Sequence, residues 1–226
     1  MKRSRLILNV LTLLPFLAAA VALCLAPDEI PGHWNASEKA DRMGSKWEVL
    51  IWPVLVLLTR LGMAGLTKLV RTKDKNGAAN ATFLEHSTMV VLAVFDFLSL
   101  YFMRAAVNQE FDVERYNRSV WQISMALTGA SLIPVGNQMP KLKLNSTSGL
   151  RTKYSMLNEE TWRLSQRFGG KAMMVSGVAI IILAFALPGI YSFFAAMGVL
   201  IIMCIVDSRY AKWAYYKTME KQEPPD

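Results

Sequence analysis

The chain has 226 residues, of which 53% are apolar, with a mean hydropathy of +0.28 and a formal net charge of +8. Apolar runs of about 20 residues recur along it, each long enough for a bilayer core about 30 Å thick, which excludes an ordinary soluble domain. The positive balance needs no nucleic-acid partner, since loop topology and attraction to anionic lipid account for it; Cys24 and Cys204 fall in apolar runs, as packing residues rather than a disulfide or metal pair.

The first predicted span runs from Leu6 to Ala26 behind Lys2, Arg3 and Arg5. Its apolar run is too long for a signal peptide and Leu25-Ala26-Pro27 is a poor cleavage site, so it is read as a retained anchor. The loop that follows holds Pro27, Pro31, His33, Trp34, Asn35 and Asp41. Proline disfavours helix in the residue before it, so the two prolines bracket an extended segment. One histidine makes no metal site, and His86 lies near the opposite end of the third span. Two readings of His33 stay open: a structural ring bonded to the loop backbone beside an interfacial Trp34, or a contact for an extracellular peptide.

The second and third spans are Val49 to Leu66 and Phe83 to Met103, and each carries a charge, Arg60 and Asp96. At 1.5 Å per residue each lies about 12 Å from its end of the span, so in antiparallel neighbours the two differ in depth by about 6 Å. A buried charge alone is costly, so an Arg60–Asp96 pair is expected. It reads either as a clamp between spans or as a proton or ion path in a small transporter. The fourth span, Val120 to Val135, is the weakest; Thr128-Gly129-Ala130-Ser131 lets helices approach closely, and Pro134 is expected to bend or end it.

Asn137 to Gly170 reads NQMPKLKLNSTSGLRTKYSMLNEETWRLSQRFGG: polar, basic and rich in turn formers. A loop of this length is usually functional or a linker, and this one lacks a linker's repetitiveness. Met139 to Arg151 is expected to be extended, with a turn at Ser148-Gly149. Asn158 is a good helix cap, with Glu159 and Glu160 in the first turn where the dipole favours acids. An amphipathic interfacial helix is predicted from there to Phe168, stopping at Gly169-Gly170. Leu157 and Trp162 would face the membrane, Arg163, Gln166 and Arg167 water, and Arg151 and Arg167 would pair with Glu159 or Glu160. The loop is either a cap on the bundle's inner mouth or a docking surface for a partner.

The last two spans are Ala172 to Leu187 and Tyr191 to Val206, joined at Pro188-Gly189. A tail alternating Arg209, Lys212 and Lys217 with Tyr210, Trp213, Tyr215 and Tyr216 suits interface anchoring, and Pro224-Pro225 ends it. Over six spans, eighteen lysines and arginines fall on one side and six on the other, with Arg60 inside a span. The split places both termini in the cytoplasm. The expected fold is thus all-α: six transmembrane helices, both termini cytoplasmic, and an interfacial helix between helices 4 and 5. Two units are expected, residues 1–80 with the outer loop and residues 81–226 with loop 137–170.

Asn137, Met139-Pro140-Lys141, Asn145, Gly149-Leu150-Arg151-Thr152, Asn158-Glu159, Trp162, Arg167 and Gly170 resemble the pattern of the SdpI family of bacterial multi-pass membrane proteins. That pattern runs N-x-M-P-K, N, G-I-R-T, N-E-x-x-W and R-x-x-G. Leu150 stands where Ile is common, and Lys153-Tyr154 where an aromatic-Thr pair is common. Ile30-Pro31-Gly32-His33-Trp34-Asn35, with Asp41 and Pro53, is similar to a small domain of unknown function that often precedes such regions, although its glycine before the aspartate is missing. The resemblance implies a bacterial inner-membrane protein that protects against a secreted peptide toxin and holds a transcriptional regulator at the cytoplasmic face. In such a protein the glycosylation-like Asn35-Ala36-Ser37 and Asn117-Arg118-Ser119 carry no meaning. No Ser/His/Asp set, metal cluster or phosphate loop appears, so neither catalysis nor a cofactor is expected; the partners expected are the bilayer, a peptide toxin and a regulator protein.

Overall fold

The computed structural model describes residues 2–112 and 119–220. Expectations at Arg115, Asn117, Arg118, Lys221 and Pro224-Pro225 lie outside the described residues. Among the described residues, six long helices run back and forth: α1 (Lys2–Leu25), α2 (Ile51–Lys73), α3 (Gly77–Val107), α4 (Val120–Gln138), α5 (Glu159–Ala186) and α6 (Tyr191–Glu220). Among the described residues, five stretches are long and apolar enough to cross a membrane: Arg3–Leu25, Lys46–Lys73, Gly77–Val107, Glu159–Ala186 and Tyr191–Glu220. That is a multi-pass architecture.

The exception is α4, with 19 residues that include Gln122, Ser124, Thr128 and Ser131. Its polar groups are used within the protein. Thr128 donates to the Ser124 carbonyl at 2.8 Å, Ser131 to the Thr128 carbonyl at 2.7 Å, and Gln122 to the Leu187 carbonyl at 2.9 Å. Pro134 does not end this helix; α4 continues through it to Gln138.

Burial is inverted relative to a soluble protein. Ala19, Ala184, Ala196, Ala211 and Ala214 are almost wholly buried, while Leu13, Leu17, Leu58, Ile182 and Ile202 are exposed. Lipid explains this arrangement: large side chains face acyl tails, and small ones let helix backbones approach. The closest approach is between α4 and α5. A methyl group at Gly129 or Gly177 would lie 2.5 Å from the other's carbonyl oxygen, and one at Gly136 or Gly170 would lie 2.6 or 2.5 Å from the other's. The glycines stand seven residues apart on both helices, so two turns of each pack backbone to backbone.

This packing corrects the expected interfacial helix. Gly169 and Gly170 do not stop it: α5 runs unbroken from Glu159 to Ala186. Both glycines are buried where α5 meets α4 and its following turn, and that contact outweighs their poor helix propensity.

The all-helical expectation is also corrected. Between α1 and α2 lies an antiparallel hairpin of β1 (Glu29–Trp34) and β2 (Ala40–Ser45), registered Glu29↔Ser45, Ile30↔Gly44 and Trp34↔Ala40, with irregularities at His33. Helices α1, α2 and α3 pack on one another, as do α4, α5 and α6, and α3 meets α4. Residue 80, the boundary read from the sequence, lies near the start of α3. One end of the bundle carries the hairpin, the start of α4 and the α5–α6 turn. The opposite, basic end carries both described termini, the α2–α3 turn and loop 139–158.

Candidate functional site

At the hairpin end, the strands fold over the helix ends and enclose a cavity of about 450 Å³. That is within the range of small-ligand pockets. Its walls are mainly apolar and include five large aromatic rings: Trp34 from β1, Trp52 from α2, Phe102 from α3, Trp121 from α4 and Phe193 from α6. Trp52 stacks on Phe102 with centroids 5.1 Å apart, Trp34 tilts against Phe102 at 5.4 Å, and Trp121 meets Phe193 at 5.5 Å. The indole N–H groups of Trp34 and Trp121 are satisfied away from the rings. Trp34 donates to the Glu110 carbonyl at 3.0 Å and Trp121 to the Ala36 carbonyl at 3.1 Å. Ring faces can therefore line the space without orphaned donors.

Polar groups hold this lid in place. Buried Glu38 takes hydrogen bonds through Oε1 from the Ser119 hydroxyl at 2.7 Å and the Trp121 amide at 3.1 Å. Its φ of 60° is the left-handed turn that closes the hairpin, and Asn35 Oδ1 accepts the amides of Ser37 and Lys39 across that turn. Arg42 grips Glu48 through both terminal guanidinium nitrogens at 2.8 and 2.7 Å, which raises its pKa above the ordinary arginine value, and reaches the Gly32 carbonyl at 2.8 Å. His33 bonds the Asp41 carboxylate at 2.6 Å rather than the loop backbone. Of the outer-loop residues singled out in the sequence, Pro31, His33, Trp34 and Asn35 line the cavity, and Asp41 braces His33. Sequence reasoning missed Trp52, Phe102, Trp121 and Phe193, which come from four separate helices and share no linear signal.

The basic end is built differently, because its loop is folded in on itself. Met139, Leu142 and Trp162 form a buried cluster, and Trp162 donates its indole N–H to the Leu142 carbonyl at 2.9 Å. Asn145 Oδ1 accepts the amides of Thr147 and Ser148, making a turn that delivers Gly149 at φ 98°. Buried Gln166 pairs with Leu150 like a strand partner: its Oε1 accepts the amide and its Nε2 donates to the carbonyl, both at 2.9 Å. Thr152 and Ser155 cap each other's amides, and Asn158 accepts the Thr161 amide as the cap of α5. Asn80, buried on α3, ties the loop down by accepting the Lys143 amide at 3.1 Å.

The expected turn at Ser148-Gly149 is therefore present, but Met139 to Arg151 is coiled rather than extended. Trp162 faces protein rather than lipid, and Gln166 is buried rather than wet. Arg151 and Arg167 form no ion pair with Glu159 or Glu160 among the described residues; all four are exposed. Met139, Asn145, Gly149, Thr152, Asn158, Trp162 and Gly170 shape the loop, while Asn137, Pro140, Lys141, Arg151, Glu159 and Arg167 remain on its surface.

Arg60 and Asp96 are not brought together either. Asp96 is 3% exposed, and both of its carboxyl oxygens lack a hydrogen-bond partner among the described residues. Arg60 instead lines an opening toward the basic end with Glu85 and Thr88 of α3. Thr88 stands eight residues from Asp96, about 12 Å along the helix, so the two charges sit at different depths. Asp207 on α6 is a buried acid that sequence reasoning missed; it lies beside Gly169 of α5 and leaves one oxygen without a partner.

Comparison with known proteins gives three findings. A model described as the SdpI/YfhL protein family matches residues 141–207, covering most of the basic-end loop, all of α5 and more than half of α6. A model of a domain of unknown function (DUF1648) matches residues 10–57, covering most of α1, the hairpin and the first turns of α2. The chain is similar to the immunity protein SdpI of Bacillus subtilis (strain 168), with 28% identity over 217 residues, 96% of this chain and 98% of the relative. No solved structure matches.

Proposed function

We propose that the chain, matched by the SdpI/YfhL protein family model over residues 141–207 and similar to an immunity protein along nearly its whole length, is a membrane immunity protein protecting its cell from a membrane-active peptide toxin. The observation that carries this reading is the similarity to an immunity protein over nearly the full length of both chains. Protection is by binding, without chemistry. The aromatic cavity at the hairpin end is the toxin's contact site, and its occupant is an apolar side chain or short apolar segment of the peptide. The charge split supports this reading, because it turns the basic end to the cytoplasm and the hairpin end outward, where a secreted peptide arrives.

At the cytoplasmic face, the exposed Lys141, Arg151, Glu159 and Arg167 form the surface on which a soluble regulator is held. Trp162 belongs to the scaffold beneath it. The test is survival of cells expressing the chain when exposed to the culture supernatant of a peptide-toxin producer. Wild type survives, and cells without the chain do not. Equal survival of both would overturn the immunity reading. A second reading, a proton or ion path, rests on the unpartnered carboxylate of Asp96. It requires Asp96→Asn to abolish protection at wild-type membrane abundance.

A further inference from the structure

We propose that the basic cavity among α1, α2 and α3 binds the phosphate of an anionic phospholipid, with Arg60 as its deepest contact. The cavity measures about 230 Å³ and is lined by Arg5 of α1, by Arg60, Lys68 and Arg71 of α2, and by Glu85 and Thr88 of α3. Four cations face one carboxylate, and that carboxylate is held by Arg71 at 2.6 Å. Arg5, Arg60 and Lys68 form no ion pair among the described residues. Arg60 is half-buried in an apolar helix, where an uncompensated charge is costly. Since Asp96 does not compensate it, the compensating anion comes from outside the chain.

The geometry favours a lipid phosphate over a free anion. Lys68 stands eight residues from Arg60, about 12 Å nearer the basic end, which is where Arg5 and Arg71 also lie. The cations thus form a ladder from headgroup level into the apolar zone. A long arginine in the lower position reaches upward toward the headgroups. Its planar fork takes two phosphate oxygens at once, and Lys68 acts as a point charge. Leu8 and Ala64 supply an apolar wall for the start of an acyl chain, and Leu58 and Leu61 continue that surface on the outside of α2. A lipid phosphate arrives at this boundary already, whereas inorganic phosphate would have to shed its water to follow. Basic pockets between membrane helices on the cytoplasmic side are suited to such headgroups.

The experiment uses the full chain in neutral detergent, with phosphatidylglycerol, phosphatidylcholine and inorganic phosphate as separate additions. Lipid retention is read by native mass spectrometry, and melting temperature in parallel. Wild type retains phosphatidylglycerol and is raised in melting temperature by it, while phosphatidylcholine and inorganic phosphate do neither. Arg60→Gln weakens retention about tenfold, the loss of one charge-assisted contact. Arg5→Gln and Lys68→Gln, both at exposed positions, weaken it severalfold and report on the site even where Arg60→Gln fails to fold. Lys143→Gln, a basic-end charge outside the cavity, leaves it unchanged. Equal retention of both lipids, or retention unaffected by the cavity variants, overturns the proposal. Stabilisation by inorganic phosphate equal to that by phosphatidylglycerol overturns the assignment to lipid.

Discussion

The two ends of the bundle spend similar residues in opposite ways. At the basic end, Trp162, Gln166, Asn145 and Asn80 are consumed by the loop itself, each bonded to backbone that would otherwise be orphaned. At the hairpin end, Trp34 and Trp121 also satisfy their N–H groups, but their rings border a cavity of about 450 Å³. A segment dense in polar and aromatic residues is thus not a binding surface by that fact alone. What separates a scaffold from a site is whether the side chains fill the space they enclose.

That contrast is broken most directly at Trp162. Trp162→Ala removes a fully buried indole and its hydrogen bond, so a loss of about 3–5 kcal/mol is expected. The expected readout is a collapse of membrane abundance and of the detergent melting transition, in place of a selective defect. Gly170→Ala and Gly129→Ala come next. Each drives a methyl group to 2.5 Å from a carbonyl oxygen of the facing helix, and overpacking of this kind costs about 1–3 kcal/mol. Thermal-shift measurement on the two variants tests whether α4 and α5 pack backbone to backbone at these glycines; no loss for either variant would refute it.

Smaller effects on stability are expected from the cavity. Ser124→Phe fills space without removing an existing contact, so abundance holds while toxin protection falls. The smallest effect concerns Asp28, whose carboxyl is held below the usual range by Lys46 at 2.8 Å. A lowered folded-state pKa contributes stability above the ordinary carboxylate range and loses it only as pH falls through the lowered value. The pair is solvent-exposed on the Asp28 side, so Asp28→Asn should leave the melting temperature at neutral pH unchanged.

Much of the helical frame was legible, since long apolar runs are unambiguous and Asn158 is a strong cap. Of the hairpin, only the extended segment between Pro27 and Pro31 was, which overlaps β1. Ala40–Ser45 is polar, without the alternation that marks a half-buried strand, and its turn uses Glu38 in the left-handed region where glycine is the usual signal. The length of α5 is hidden because Gly169-Gly170 looks like a stop, and only the facing Gly136 of α4 and the turn after it show why small residues stand there. The Arg60–Asp96 pair does not form because Arg60 lies level with Thr88, about two turns along α3 from Asp96. The cavity lay beyond the sequence, since its aromatic walls converge from distant helices.

The proposed function places protection in the hairpin-end cavity and regulator holding at the basic end. One survival assay tests it, comparing Phe102→Ala and Ser124→Phe with Arg151→Ala and Arg167→Ala under toxin challenge, each normalised to membrane abundance. The cavity variants should lose protection at wild-type abundance, and the loop-surface variants should keep it. Full protection by both cavity variants, with loss in the loop-surface pair, would contradict the account and move the toxin-sensing site to the basic end.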